Sequence, residues 1–533
     1  MNYQSPNSEL LDLFISCRNL ANKDVMSKSD PYVRVFMSTN KMQPSLVGET
    51  ETISNDLNPD FKKPVTVNYV YEQHQEVSFK VLDRDDGYND DLLGDVSIPL
   101  PKILMSNPQT GYKQELKSAS GKSQGWIQIR FAKMKAAKGL YNFKVRGSKI
   151  KDIEFFSKSD PFIRIYRPSQ NYENVPEFHT IPSNCWIQVY ESEPHMNNLN
   201  PVFQPFSISS AQLNCNVDTM ANKWEVWDYE SDGMHRVIST GYSTGNALKA
   251  GQKVITTYDK KGKYGGDLLI ESATYQQQVS VVDYLRVGLK FSLVVGIDFT
   301  GSNGVQRFPN SLHYFPPGAT NYSSISNQYM QTILQVGNIL IEYDDDKIVP
   351  AYGYGAKIDK GSQTNHCFPL TLDPGNPFCN GHLGVLDAYS RIMNRLEFSG
   401  PTNFAPIIRE TIKAVSAGYQ DNPMNYTILL IITDGLISDF NETVAEIVKA
   451  SRLPMSLIIV GVGKEDFSQM DALDCDKGVL RDSYGNVASR DIVQFVPFNQ
   501  YVNNPIILAQ EVLKELPQQV DKFYFMIGKQ PQL

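Results

Sequence analysis

Residues 27–36 read SKSDPYVRVF, and residues 157–166 read SKSDPFIRIY. Two further pairs of segments follow in the same order, since LNPDF at 57–61 returns as LNPVF at 199–203 and VLD at 81–83 returns as VWD at 226–228. The offset grows from 130 to 145 positions along the repeat, as loop insertions would cause. A repeat of this length predicts a duplicated domain rather than a solenoid, whose units are much shorter.

Each copy has the pattern of β-structure. Segments 32–36, 77–81 and 126–131 alternate apolar and polar residues, and clusters of Gly, Pro, Asn and Asp separate the strands. Several short strands with such turn signals predict an antiparallel β-sandwich. We therefore expect one sandwich over residues 1–132 and a second over residues 137–273.

The last half of the chain changes character. Its apolar runs at 291–297, 428–432, 457–462 and 492–495 are nearly continuous, as in strands that are buried on both faces. Helical periodicity lies between the runs, which predicts a doubly wound, Rossmann-like α/β domain with a parallel sheet. We place this domain at residues 287–516, after a linker at 274–286 and before a C-terminal tail at 517–533.

Composition narrows the class of protein. The apolar runs are far shorter than the ~20 residues that a membrane span needs. The first residues lack the apolar core of a signal peptide, and the six cysteines include no Cys-x-x-Cys pair, so we expect a cytoplasmic protein. The net charge of −8 argues against a nucleic acid partner.

Acidic residues gather near the repeated segments of the first copy. One loop holds Asp24 and Asp30, and another holds the pattern Asp83-x-Asp85-x₅-Asp91. Clustered carboxylates repel one another unless a cation lies among them, and Ca²⁺ accepts roughly six to eight oxygens in irregular geometry. A solvated acidic loop and an Asp-x-Asp glycosyltransferase site are the alternatives. The three segments in this order resemble the C2 domain family, which implies that the five aspartates bind two or three Ca²⁺ ions.

The second copy departs from this pattern. The equivalent positions hold Glu154, Asp160, Asp228 and Glu230, while Arg236 stands where the fifth ligand is expected. An arginine there acts as a tethered cation, so we expect this copy to bind Ca²⁺ weakly or not at all. Asp232 is the one nearby substitute ligand.

Apolar residues flank the acidic loops, and we interpret them as candidate membrane contacts or, equally, as plain exposed loop residues. They are Val25, Met26 and Tyr88 in the first copy and Phe155 and Phe156 in the second. Residues 117–151 also hold ten Lys or Arg and no acid. That basic block is either a solvated face or a surface for lipid headgroups, and Lys260, Lys261 and Lys263 form a smaller basic cluster.

A second kind of metal site is expected in the α/β domain. Two predicted strands end at Asp298 and at Asp434, and sites in open parallel sheets form outside the carboxyl ends of strands. Hydroxyls at Thr300, Ser302 and Thr402 complete a set of hard oxygen ligands suited to Mg²⁺ or Mn²⁺. The set resembles the metal-ion-dependent adhesion site of von Willebrand factor A domains, with Thr300 in place of the first Ser. The resemblance implies that a partner's carboxylate completes the metal shell.

Two C2 copies followed by an A domain are the arrangement of the copine family, and FTGSNG at 299–304, LHY at 312–314 and RDIVQFVPF at 490–498 resemble it as well. The resemblance implies a Ca²⁺-dependent protein that binds anionic phospholipids such as phosphatidylserine. It would move from the cytosol to the plasma membrane when Ca²⁺ rises and recruit protein partners through the A domain. The alternative is an enzyme that acts on phosphates or lipids. The sequence offers no catalytic residues for it, because Gly121-Lys122-Ser123 lacks the first Gly of a P-loop and Ser302 lacks a nucleophile elbow.

Overall fold

The computed structural model describes residues 8–24, 27–85, 90–118, 120–133, 139–155, 157–169, 181–182, 185–214, 217–231, 233–277, 279–315, 327–359, 361–475, 478–502 and 504–531. The predicted contacts Val25, Met26, Tyr88 and Phe156 and the substitute ligand Asp232 lie outside these ranges. The chain forms two compact units, of which one is Lys135–Val279 and the other joins Met1–Met134 to Ser280–Leu533.

The first repeat domain is built from eight antiparallel strands. They are β1 (Ser8–Arg18), β2 (Pro31–Thr39), β3 (Ser45–Glu49), β4 (Val65–Val70), β5 (Gln75–Asp83), β6 (Asp91–Pro99), β7 (Tyr112–Lys117) and β8 (Ser123–Lys133), with helix α1 (Leu100–Leu104) after β6. The strand order is β3-β2-β5-β6-β7-β8-β1-β4. Strand β5 buries every second residue, which is the alternation that the sequence predicts.

The second repeat domain has the same topology. Its strands are β9 (Gly139–Ser148), β10 (Pro161–Pro168), β11 (Trp186–Glu191), β12 (Phe206–Ser209), β13 (Ala221–Asp228), β14 (Arg236–Thr244), β15 (Val254–Tyr258) and β16 (Tyr264–Gln277), with helices α2 (Ser210–Asn214) and α3 (Gly245–Lys249). Their order, β11-β10-β13-β14-β15-β16-β9-β12, repeats that of the first domain strand for strand. Trp224 lies at the centre of its core and is fully buried.

The α/β domain surrounds a mainly parallel sheet. Its elements are α4 (Val281–Arg286), β17 (Lys290–Asp298), α5 (Gln328–Leu340), β18 (Ile348–Tyr354), β19 (Ala356–Lys357), β20 (Phe368–Pro369), β21 (Phe378–Asn380), α6 (Gly381–Ile392), β22 (Glu397–Phe398), α7 (Ala405–Asp421), β23 (Asn425–Thr433), α8 (Phe440–Ala450), β24 (Met455–Gly461), α9 (Ser468–Leu473), β25 (Val493–Pro497), α10 (Pro505–Leu513) and α11 (Leu516–Met526). Strands β18, β17, β23, β24 and β25 are adjacent and parallel. The four predicted apolar runs lie in or at the ends of β17, β23, β24 and β25, as expected for strands that are covered on both faces.

Two parts of the predicted segmentation differ from the structure. Strand β16 extends to Gln277, and α4 covers most of the remaining predicted linker. Residues 517–526 of the predicted tail belong to α11, whose Val520, Phe523 and Tyr524 are buried. These apolar side chains pack because α11 covers the sheet near β24.

The first repeat domain and the α/β domain are joined by buried polar contacts. The Tyr69 hydroxyl lies 2.7 Å from that of Tyr343, which in turn donates to the Tyr71 carbonyl at 3.3 Å. The Lys133 ammonium lies 2.7 Å from the Asp283 carboxylate and 3.0 Å from that of Glu9. Both carboxylates are largely buried, so this unit contains an enclosed ion-paired cluster.

Candidate functional site

The first repeat domain brings its five predicted aspartates to one end, which we call the first tip. Strand β5 ends at Asp83 and β6 begins at Asp91, and these two residues are paired across the strands. The Asp30 amide donates to Asp83 Oδ1 at 2.5 Å, which fixes the first loop against the second. Asp85 and Asp24 lie in the same two loops, and both residues are partly buried.

The first tip has the electrostatics of a cation site. Asp83 is 1% exposed, and its Oδ2 atom is buried without a hydrogen-bond partner. Desolvation raises the pKa of Asp85, and the carboxylates of Asp83, Asp91 and Asp24 raise it further. A buried carboxylate oxygen without a donor is costly, and a bound cation would satisfy it. The residues therefore fit Ca²⁺.

The second repeat domain presents a different arrangement at the same end, which we call the second tip. The carboxylates of Glu154, Asp228 and Glu230 lie within 4.8 Å of one another. The Arg236 guanidinium contacts all three, at 3.1 Å from Asp228, at 2.7 Å from Glu230 and at a shorter distance from Glu154. Among the described residues of the first tip, no three carboxylates approach so closely. Arg236 thus lies where a metal ion would otherwise hold the acids together, and this tip does not fit Ca²⁺ in the state described.

The α/β domain places its predicted ligands at the carboxyl end of the sheet. Asp298 is fully buried, and its Oδ1 accepts from the Thr300 amide at 2.8 Å and from the Thr300 hydroxyl at 2.6 Å. The Thr300 hydroxyl lies 3.0 Å from that of Ser302. Gly355, at a φ of +77°, lies against Thr300 where any Cβ would collide with that side chain.

The second carboxylate lies beside the first. Parallel pairing of β17 with β23 brings Asp298 next to Thr433, and Asp434 follows directly. Desolvation and the nearby Asp298 carboxylate raise the pKa of Asp434 to about 7, and its Oδ2 is buried without a hydrogen-bond partner. The loop of Thr402 is adjacent, since its carbonyl accepts from the Ser438 amide at 2.8 Å. All the candidate ligand atoms are oxygens, and Asp434 Oδ2 has no hydrogen-bond partner. Such a set of ligands fits Mg²⁺ or Mn²⁺.

Two residues of this site were missed in the sequence. The Thr433 hydroxyl donates to Asp298 Oδ2 at 2.8 Å. His313 is fully buried, its Nε2 donates to the Asp298 carbonyl at 2.6 Å and its Nδ1 accepts from the Tyr389 hydroxyl at 2.7 Å. Burial lowers the pKa of His313 to about 3, so the ring is neutral and holds the end of β17 through one fixed tautomer. The register of β17 on β23 could have indicated Thr433. His313 lies in the LHY segment that resembles the copine family, but nothing in that segment indicates its contact with Asp298.

We expect His313→Phe to lower the affinity of the α/β domain for Mn²⁺ by about 10–100-fold, the usual effect of losing an outer-shell hydrogen bond. Phenylalanine preserves the aromatic packing on Tyr329, whose ring centroid lies 3.9 Å away, but removes the donor to Asp298. Calorimetric titration of the full chain with Mn²⁺ measures the effect. His195→Phe, in the other unit, is the control, and an unchanged affinity in His313→Phe would show that the carbonyl contact does not position the site.

Two family models match parts of this chain. The Copine family model matches residues 311–532, and the C2 domain model matches residues 13–115. Copine-A of Dictyostelium discoideum is 36% identical over 532 residues, which cover 98% of this chain and 85% of that protein. Copine-E of the same organism is 36% identical over 524 residues, which cover 96% and 86%.

A solved structure described as BON1-C2B is 21% identical and covers 26% of this chain and 94% of its own, with a TM-score of 0.22. A second, the tandem C2 domains of Extended-Synaptotagmin 2 with calcium bound, is 12% identical and covers 52% of this chain and all of its own, with a TM-score of 0.22. Within the described residues, the helices are all too short or too polar to cross a membrane.

Proposed function

This chain belongs to the copine family, and we propose that it is a calcium-dependent phospholipid-binding adaptor. Its first tip binds two or three Ca²⁺ ions and then docks on an anionic leaflet that contains phosphatidylserine. The protein thereby moves from the cytosol to the plasma membrane when Ca²⁺ rises. The α/β domain recruits protein partners there.

The observation that carries this proposal is the group of aspartates at the first tip. Asp83 holds an oxygen without a donor, and three other carboxylates raise the pKa of Asp85. Five ionised aspartates contribute five negative charges, which an anionic leaflet at roughly −30 mV repels. Two Ca²⁺ ions would add four positive charges and remove most of that repulsion. Open coordination positions on the ions would also accept lipid phosphate oxygens.

The α/β domain supplies the recruiting surface in this proposal. Asp298, Thr300, Ser302, Thr402 and Asp434 would hold Mg²⁺ or Mn²⁺ at the end of the sheet. Ser302 is exposed, so the site opens to solvent on that side. The metal would offer an open position to the carboxylate of a partner protein, while His313 and Thr433 keep Asp298 in place.

We expect Asp83→Asn combined with Asp85→Asn to abolish Ca²⁺-dependent binding to phosphatidylserine vesicles, because the two changes remove two negative ligands from the ion site. Sedimentation of the full chain with vesicles, in Ca²⁺ and in EGTA, measures the difference. Asp56→Asn combined with Asp60→Asn is the matched control, since both residues are acidic and lie outside the five ligand positions of the same domain. If the Asp83/Asp85 double variant keeps its full Ca²⁺-dependent fraction, the first tip is not the switch.

A further inference from the structure

Four loops of the second repeat domain meet at the second tip. The Asp160 amide donates to Asp228 Oδ1 at 2.7 Å, and the Asn197 amide donates to Asp160 Oδ1 at 2.5 Å, so the first three loops are tied together. The Lys151 ammonium lies 2.6 Å from Asp259, which brings in the loop between β15 and β16. The four loops form one continuous surface at the end of the domain.

Three of these loops each expose a large apolar side chain. Phe155 is 94% exposed, Met196 is 60% exposed and Met234 is 78% exposed. Each belongs to a different loop, and none lies in a regular element. Apolar side chains that project from neighbouring loops can enter the interfacial zone of a bilayer, where each buries apolar surface.

The fourth loop adds positive charge. Lys260, Lys261 and Lys263 are all exposed, and Lys158 is exposed on the first loop. The acid in the fourth loop is already paired, since the Lys151 ammonium and neighbouring amides lower the pKa of Asp259 to about 2. The exposed edge of the second tip is therefore lysine-rich, which complements an anionic leaflet.

The chain itself offsets part of the negative charge at the second tip. Asp228 is 1% exposed, and Arg236 contacts it together with Glu154 and Glu230. Asp160 accepts a backbone amide, and Asp152 accepts the amides of Glu154 and Ser159. Arg236 and the four exposed lysines therefore give the second tip positive charge without Ca²⁺.

We propose that the second tip is a calcium-independent docking surface for anionic membranes, with Arg236 in the role that Ca²⁺ has at the first tip. This inference rests on the proposed function, because the second tip is the same end of the fold as the calcium-binding first tip. Phe155, Met196 and Met234 enter the interfacial zone, and the four exposed lysines contact lipid phosphates. The protein then holds a weak standing contact with anionic membranes, which Ca²⁺ strengthens through the first tip.

The test uses the full chain and vesicles of phosphatidylserine with phosphatidylcholine, in EGTA. We expect measurable binding that vesicles of pure phosphatidylcholine do not give. Lys260→Ala with Lys261→Ala and Lys263→Ala is expected to weaken it on the order of a hundredfold, since each basic residue near an anionic surface contributes roughly fivefold and the three factors multiply. The matched control replaces the exposed Lys102, Lys253 and Lys529, which lie outside the second tip, and should change binding little.

A second variant tests the role of Arg236. Arg236→Gln leaves three carboxylates without a cation, so binding of the variant to the vesicles in EGTA should fall at least tenfold. Ca²⁺ should restore this binding, even when Asp83→Asn and Asp85→Asn have removed Ca²⁺ binding at the first tip. Absence of binding in EGTA, or equal binding by the lysine variant and its control, would overturn the inference. Equal binding of Arg236→Gln and the parent in EGTA would do the same. The proposed function has its own test: it is wrong if the protein with Asp83→Asn and Asp85→Asn shows the same Ca²⁺-dependent increase in vesicle binding as the parent.

Discussion

Replacing Asp434 by Asn is expected to abolish binding of Mg²⁺ or Mn²⁺ to the α/β domain. Asp434 is 2% exposed and contributes the orphaned Oδ2 atom, so the change removes both a ligand and the charge that draws the cation. The loss should exceed the 10–100-fold that outer-shell changes such as His313→Phe cause. Titration calorimetry with Mn²⁺ measures it, with Asp373→Asn, an exposed acid of the same domain, as the control.

The same variant has the opposite effect on the metal-free protein. Because the pKa of Asp434 is raised to about 7, the folded state binds a proton more tightly than the unfolded chain does. The free energy of unfolding of the metal-free protein therefore falls as pH rises from about 4 to 7. Asp434→Asn removes this loss, and it should raise the free energy of unfolding at pH 8 on the order of 1–3 kcal/mol. If Asp434→Asn binds Mn²⁺ like the parent, or is less stable than the parent without metal, Asp434 is not a ligand of a metal site here.

Replacing Lys133 by Met is expected to destabilise the unit that contains the first repeat domain and the α/β domain. The change leaves the Asp283 and Glu9 carboxylates enclosed without their cation, and their side chains are only 3% and 9% exposed. Breaking a buried ion pair from one side costs about 3–5 kcal/mol. Urea unfolding, followed by tryptophan fluorescence and circular dichroism, measures the loss.

The matched control for Lys133 is Lys413→Met. Its ammonium lies 3.1 Å from Glu410 on the surface of α7, and both side chains are exposed. Such a pair contributes less than about 1 kcal/mol. If Lys133→Met costs no more than this control, the cluster does not hold the two domains together.

The sequence predicts the local elements better than their assembly. The repeat of SKSDP indicates two domains of one topology, and the identical strand orders show that relation directly. The apolar runs at 291–297 and 428–432 predict central parallel strands, which β17 and β23 are. The repeated segment and the apolar runs are both local signals. Burial of a strand on one face or on both faces determines which of its own residues are apolar.

Contacts between distant segments leave no comparable signal. Tyr69 and Tyr343 are 274 positions apart, and nothing in either segment indicates the other. Lys133, Arg146 and Lys151 belong to the basic block, yet each pairs with an acid from outside it, namely Asp283, Glu271 and Asp259. A linear run of like charge therefore did not predict how much free positive charge the surface presents.

The candidate sites divide in the same way. Asp298, Thr300 and Ser302 could be chosen because strand ends and hard oxygen ligands are readable from residue types. Arg236 could be placed among the acids by the offset between the copies, and the structure shows it there. The role of His313 could not be found, although LHY at 312–314 resembles the copine family, because the contact of its ring with a backbone carbonyl depends on the path of a loop.

In the proposed function, Ca²⁺ at the first tip and the anionic membrane bind cooperatively. Linkage requires that if Ca²⁺ strengthens membrane binding, the membrane strengthens Ca²⁺ binding by the same factor. The most direct measurement is a Ca²⁺ titration of the full chain with and without phosphatidylserine vesicles. We predict an apparent Ca²⁺ affinity at least about tenfold higher with these vesicles, a coupling of about 1.4 kcal/mol, and no change with phosphatidylcholine vesicles. Equal Ca²⁺ affinities without vesicles, with phosphatidylserine vesicles and with phosphatidylcholine vesicles would show that Ca²⁺ at the first tip does not control membrane binding.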